Sequence, residues 1–186
     1  CACLVGSEMC IRDRFWMYPE VKEKNEEIVM MVGSIFPGNT NSVAEFNIYN
    51  DPHVAAIVFQ SGVKINMLGL DVTEKALLHR ENILKMRNSG KTGNMLYALF
   101  ENYRGGSMDA GLMLHDACTI TFLMKPELFQ TEEKYVEVVT EGIAAGALVM
   151  DTWMAIHENE IPNVNVCMGV DTEQFEVWFV GEFESD

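Results

Sequence analysis

The sequence predicts an α/β fold: an open, mainly parallel, Rossmann-like sheet flanked by helices. Three observations carry this. Ile28-Val29-Met30-Met31-Val32 is a continuous apolar run that stops at Gly33, the pattern of a short strand buried on both faces. Strand-like segments recur at Val63–Leu70, Tyr135–Val139 and Val164–Val170. Between them lie segments with helical spacing, and alternating β and α units pack as layers around a parallel sheet.

The elements follow in order. Glu20 to Glu27 is a charged helix end or loop feeding the first strand. Asp51-Pro52 marks a helix start, with Asp as N-cap and Pro at the first position. Val54 to Ser61 has apolar residues at helical spacing, and Gly62 is a stop. After the strand Val63–Leu70, a helix is predicted over Thr73–Met86 with Thr73 as cap, then a turn over Asn88–Lys91. Gly93–Tyr103 reads as an aromatic amphipathic helix, on which Tyr97 and Phe100 face the core. Arg104–Gly111 holds three glycines and reads as a flexible loop. His115–Met124 is a further helix, ended before Pro126.

Composition narrows the functions. The chain has 186 residues, 48% of them apolar, which suits one globular domain. No uncharged apolar run reaches the roughly 18 residues of a membrane span. Lys plus Arg is 13 against 28 Asp plus Glu, a net charge of −15. That balance argues against nucleic-acid backbones and anionic membranes, which need basic patches. Outside residues 1–14 only Cys118 and Cys167 remain. Their apolar surroundings predict buried free thiols, which fits a reducing cytoplasm.

The most informative stretch is Gly38-Asn39-Thr40-Asn41-Ser42-Val43-Ala44-Glu45-Phe46-Asn47. It lies just beyond the carboxyl end of the first strand, the rim where open α/β sheets bind ligands. Its amides and carboxylate offer donors and acceptors suited to a polyol such as a sugar. A second cluster, Leu114-His115-Asp116, opens the helix near position 115. On their own these residues also read plainly: Asn39 and Asn47 as turn and helix caps, Asp116 as an N-cap, His115 as a structural histidine.

As an ordered set, the clusters resemble the nucleoside hydrolase family, the inosine/uridine-preferring ribonucleoside N-ribohydrolases. The resembling segments are the first strand followed by Gly38-Asn39 through Ala44-Glu45-Phe46-Asn47, then Leu70-Asp71-Val72-Thr73, Leu114-His115-Asp116 and Pro126-Glu127-Leu128-Phe129. Glu141-Gly142, Val149-Met150-Asp151 and Asn163-Val164-Asn165-Val166 echo it further on. The resemblance runs from about Tyr18 to about Phe183. The sequence departs from the pattern at Val32, Asn41, Ala117 and Ala145, where glycine, threonine, proline and arginine are usual. It also lacks the strand and aspartate-rich DTDPGxDDA loop with which family members begin. The expectation is therefore a C-terminal portion of a single nucleoside hydrolase domain over residues 15–186, its N-terminal part missing. Residues 1–14, CACLVGSEMCIRDR, read as a non-native leader.

The resemblance implies calcium-dependent hydrolysis of ribonucleosides to free base and ribose. It makes Asn39, Glu45 and Asn47 ribose-binding, with Phe46 a core residue or a wall against the sugar. Asp116 becomes a calcium ligand, the one carboxylate of that site present here, so the site is incomplete in this chain. His115 becomes the acid beside the leaving base, and a histidine suits that task near neutral pH. Tyr103 either closes over the base or packs. His53, His79 and His157 read as surface residues. The parent protein is expected to be a cytoplasmic homodimer or homotetramer acting on a small ribonucleoside, with the chain as given inactive. The alternative is a non-catalytic ribose- or nucleoside-binding or interaction module.

Overall fold

The computed structural model describes residues 17, 18, 20, 23, 26–35, 37–87, 89–151 and 161–183. The expected leader over residues 1–14, half of the charged feed at 20–27, and His157 lie outside the described residues. The chain runs β1 (Ile28–Met31), α1 (Phe46–Asn50), α2 (Pro52–Phe59), β2 (Ile65–Leu68), α3 (Leu70–Thr73), β3 (Leu77–Leu78), α4 (Arg80–Met86) and α5 (Gly90–Phe100). It continues through β4 (Gly106–Ser107), β5 (Gly111–Met113), α6 (Ala117–Met124), a 3-10 turn (Pro126–Leu128) and β6 (Phe129–Lys134). The last elements are β7 (Val136–Val138), β8 (Leu148–Met150), β9 (Val164–Val170) and α7 (Thr172–Gly181). The described residues fall into two compact units, one drawn from 1–72 and 130–169, the other from 73–129 and 170–186.

The first unit is built on a sheet of order β1-β2-β9-β6. Strands β1, β2 and β9 run parallel, with Met30 beside Met67 and Met67 beside Val166. Hydrogen bonds from Asn163 N to Lys134 O and from Asp171 N to Leu128 O run β6 the opposite way along β9. Side chains of β1, β2 and β9, among them Ile28, Met30, Ile65, Met67 and Val166, pack with Ile48 of α1 and Val58 and Phe59 of α2 in one core cluster. Asp51 caps α2 by accepting from Val54 N at 3.0 Å, and Gly62 at φ 78° follows the helix. Both match the sequence signals. Strands β7 and β8 form an antiparallel pair. Asn163 ties that pair to α2: its side chain accepts from Val136 N (2.8 Å) and donates to Val136 O (2.9 Å) and Phe59 O (3.2 Å).

Asn66 is 2% exposed at the centre of β2. Its carbonyl accepts from Asn165 of β9 at 2.8 Å, and its amide donates to Glu27 at 2.8 Å. Glu27 also pairs with Lys64 at 3.1 Å. Burial works to raise the Glu27 pKa, but the bonds from Lys64 and Asn66 outweigh it and hold the carboxyl below its ordinary value.

In the second unit β3, β5 and β4 form a small antiparallel sheet of order β3-β5-β4. Glu176 of α7 accepts from His79 N at 2.6 Å and meets His79 Nδ1 at 2.8 Å, holding the start of α4. Phe122 and Phe129 meet edge to face at 5.4 Å. Cys118 of this unit and Cys167 of the first unit are both buried, as expected, and burial pushes the Cys167 thiol up to about 11.

Several sequence expectations need correction. Thr73–Met86 is not one helix capped by Thr73. Thr73 ends α3, Leu77 and Leu78 pair with Met113 and Leu112 as β3, and α4 starts only at Arg80. Apolar spacing over so short a run cannot separate a helix turn from two strand residues whose partner lies far along the chain. The strand expected over Val63–Leu70 is confined to Ile65–Leu68, because Leu70 already opens α3. The turn over Asn88–Lys91 gives way to α5, which begins at Gly90 and ends at Phe100 rather than Tyr103. Phe100 is buried, but Tyr97 is half-buried, bonding Glu101 at 2.9 Å under the Arg87 guanidinium. The loop over Arg104–Gly111 contains β4, so it is an ordered hairpin arm. The helix at His115 begins at Ala117, with His115 and Asp116 in the turn before it. Strands β6 and β8 and helices α1 and α7 have no counterpart among the elements expected from the sequence.

Candidate functional site

The predicted ribose residues fall in the first unit and form one bonded group. Glu45 is 2% exposed and caps α1. Its Oε1 accepts from Asn47 N (2.8 Å), and its Oε2 accepts from Gly33 N (2.9 Å) and Ile48 N (3.3 Å). This one carboxylate joins Gly33, two residues past β1, to the start of α1. Asn47 Nδ2 donates to Met31 O at 3.1 Å, a second tie to the same strand end. Asn39 Oδ1 accepts from Phe46 N at 2.9 Å, and Asn41 Oδ1 accepts from Val43 N and Ala44 N at 2.8 and 2.7 Å. A Cβ at Gly38 would collide with the Ala44 backbone, so only glycine allows the loop to close on itself here. The Phe46 ring is 55% exposed, which rules out the core role allowed for it.

Asp71, to which the sequence assigns no role, holds the neighbouring loop. Its carboxylate accepts from Ile35 N at 2.8 Å and from Ser34 Oγ at 3.4 Å. Leu70 N donates to Gly33 O at 2.9 Å beside it. An acidic residue in the first turn of a helix beginning directly after a strand is the available signal.

The remaining predicted residues fall in the second unit. His115 is half-buried, and its Nδ1 lies 2.9 Å from Oγ1 of Thr73, which is fully buried. Leu114 N donates to Ala76 O at 3.0 Å, so backbone and ring are referenced to the same turn. Asp116 is exposed and makes no side-chain capping bond to α6, contrary to its plain reading as an N-cap. Its own backbone is already helical (φ −70°, ψ −29°), which turns the carboxylate away from the capping position. Its carbonyl instead accepts from Thr119 N and Oγ1. Tyr103 is 41% exposed, donates its hydroxyl to Met113 O at 2.9 Å, and meets Phe100 edge-on at 6.4 Å. Burial raises the Tyr103 pKa, and the charge of Asp116 adds to it.

The sequence profile of the inosine-uridine preferring nucleoside hydrolases matches residues 13–177. The chain belongs to that family. It is 42% identical over 167 residues to a non-specific ribonucleoside hydrolase, RihC, of Salmonella schwarzengrund, covering 89% of this chain and 54% of that protein. A RihC of Escherichia coli is 41% identical over 161 residues, covering 86% of this chain and 52% of the relative. Among solved structures, a purine-preferring ribonucleoside hydrolase from Gardnerella vaginalis superposes with a TM-score of 0.86 at 28% identity, covering 97% of this chain and 60% of that one. The nucleoside hydrolase chain described here thus spans about half the length of the curated relatives it matches.

Proposed function

We propose that this chain contributes the ribose-holding and leaving-group residues of a calcium-dependent N-glycosidase that splits ribonucleosides into free base and ribose. The observation that supports it most is the fastening of the Gly38–Asn47 stretch to the carboxyl end of β1 through Glu45 and Asn47. Pre-set polar groups at that rim suit a sugar. Glu45 is nearly buried, but its Oε1 accepts a single backbone N–H among the described residues, and a ribose hydroxyl would meet the acceptor capacity left there through the small part that is exposed. Asn39 and Asn47 complete the hydroxyl contacts, and the exposed Phe46 ring forms a wall. In the reaction the C1′–N bond breaks and its electrons leave with the base. The base takes a proton from the imidazolium form of His115, leaving the ring neutral, and water oxygen bonds to C1′ with loss of one proton to solvent. Tyr103 lies against the base.

Asp116 offers one hard oxygen ligand. Calcium takes roughly six to eight oxygens, and the described residues contain no group of three His, Cys, Asp or Glu side chains able to hold a metal. The described residues do not by themselves fit the ion, so no step here runs through it. By the same proposal the chain alone releases no base, and the whole protein works as a cytoplasmic homodimer or homotetramer. Among the described residues no helix is long and apolar enough to cross a membrane.

The test is a titration of the 15N-labelled chain with ribose and with inosine, and a ribose-release assay on the same samples with calcium. Amide shifts should concentrate in Gly38–Asn47 without release. No shift there up to the solubility limit of inosine sinks the binding role. Release above a buffer control overturns the expected inactivity.

A further inference from the structure

We infer that Thr73 is a positioning residue that fixes the proton of neutral His115 on Nε2; this rests on the proposed role of His115 toward the leaving base. The inference comes from an imbalance at one hydrogen bond. Thr73 is fully buried, and among the described residues its hydroxyl has one partner, His115 Nδ1 at 2.9 Å. Two arrangements fit that distance. If Nδ1–H donated to Oγ1, the threonine proton would be left buried with no acceptor. If Oγ1–H donates to Nδ1, the hydroxyl proton and the ring lone pair are both satisfied. A buried donor without an acceptor is the costlier state, so the second arrangement prevails. A ring that accepts at Nδ1 carries its own proton at Nε2.

The backbone makes the arrangement rigid. Thr73 O accepts from Ala76 N at 3.3 Å, closing a turn, and Ala76 O accepts from Leu114 N at 3.0 Å. The residue before His115 and the His115 ring are therefore both anchored to the turn 73–76. Geometry and tautomer are set together, as in histidines whose active nitrogen is selected by a partner on the other one. The consequence is chemical: the neutral ring presents Nε2–H toward the leaving base as a hydrogen-bond donor, and with Nδ1 engaged by Thr73 it has no free lone pair with which to act as a base on water.

The test reads the ring, not the substrate. Long-range 1H–15N correlations of the chain labelled at histidine separate the two neutral tautomers at a pH where imidazoles are uncharged. His115 is assigned among His53, His79, His115 and His157 by its loss in His115→Gln. The wild type and Thr73→Ser should show the Nε2–H pattern. The isosteric Thr73→Val should lower that preference by about five- to tenfold, the scale of one neutral hydrogen bond. An Nδ1–H pattern in wild type or in Thr73→Ser overturns the inference, and so does an unchanged pattern in Thr73→Val. If Thr73→Val does not fold, the wild-type and serine spectra still decide. Ribose binding at Gly38–Asn47 is a separate readout, so failure of the functional reading and failure of this one are told apart.

Discussion

The two groups of predicted site residues are held in opposite ways. In the first unit, Glu45 accepts three backbone N–H groups and is nearly inaccessible. In the second, Asp116 is exposed and caps nothing, and Tyr103 is anchored by one hydroxyl bond. A carboxylate can therefore be a structural keystone in one place and carry no capping duty in another. Where a carboxylate is bound by backbone donors, loss of function and loss of fold arrive together. Where it faces solvent, the two separate.

Substitutions can break or sharpen this contrast. Glu45→Ala leaves three buried N–H groups without their acceptor and removes a cap, and should cost about 3 kcal/mol, read as a fall in the urea midpoint. A loss below about 1 kcal/mol would erase the difference between the units. Gly38→Ala forces a Cβ against the Ala44 backbone and should cost about 2 kcal/mol. Gly105→Ala in the second unit meets only the Tyr103 side chain, which can turn aside, and should cost distinctly less in the same melt. Among helix starts, Asp51→Ala should lose about 1 kcal/mol, whereas Asp116→Ala should stay within about 0.5 kcal/mol of wild type. Equal effects would place Asp116 among the caps after all.

The smallest expected effect is on acid stability. Burial works to raise the Glu176 pKa, but bonds from the Asn82 side chain and from the His79 backbone and ring outweigh it, so the net shift is downward. A depressed folded-state pKa gives stability that is present above the ordinary glutamate value and lost as pH falls through the folded one. The wild type should therefore weaken below about pH 4, and Glu176→Gln should flatten that fall in a pH series of denaturant midpoints. An unchanged slope would show that the His79–Glu176 pair does not link α7 to α4 energetically.

What the sequence discloses follows from how locally each signal is written. Strands β1 and β2 are legible because burial along nearly their whole length writes an apolar run, and β9 because Val164, Val166 and Cys167 are buried along it even though Met168 is exposed. Asp51-Pro52 is legible because capping chemistry is confined to neighbouring residues. Strand β6, Phe129–Lys134, is not: four of its six residues are exposed, so no hydrophobic period marks it. Helix α7 escapes the sequence expectations although Asp171 caps it through Gln174 N at 3.1 Å, a local signal. Glu45 can be named as a site residue, but its capping role depends on Gly33 as well as on its neighbours, and glutamate is not a favoured cap. Thr73 is hidden for a related reason: its partner, His115, is distant in sequence.

Asn66 and Asn165 stand opposite each other on adjacent parallel strands, joined amide to carbonyl. A slip of one residue between β2 and β9 would set each amide against a hydrocarbon neighbour, and Asn66 would keep its polar atoms sealed from water. Nearly every other pairing along these apolar strands tolerates misalignment, since one aliphatic contact resembles the next. The amide pair thus marks one register: a sheet slipped by one residue carries an unanswered amide–carbonyl bond and is the less stable.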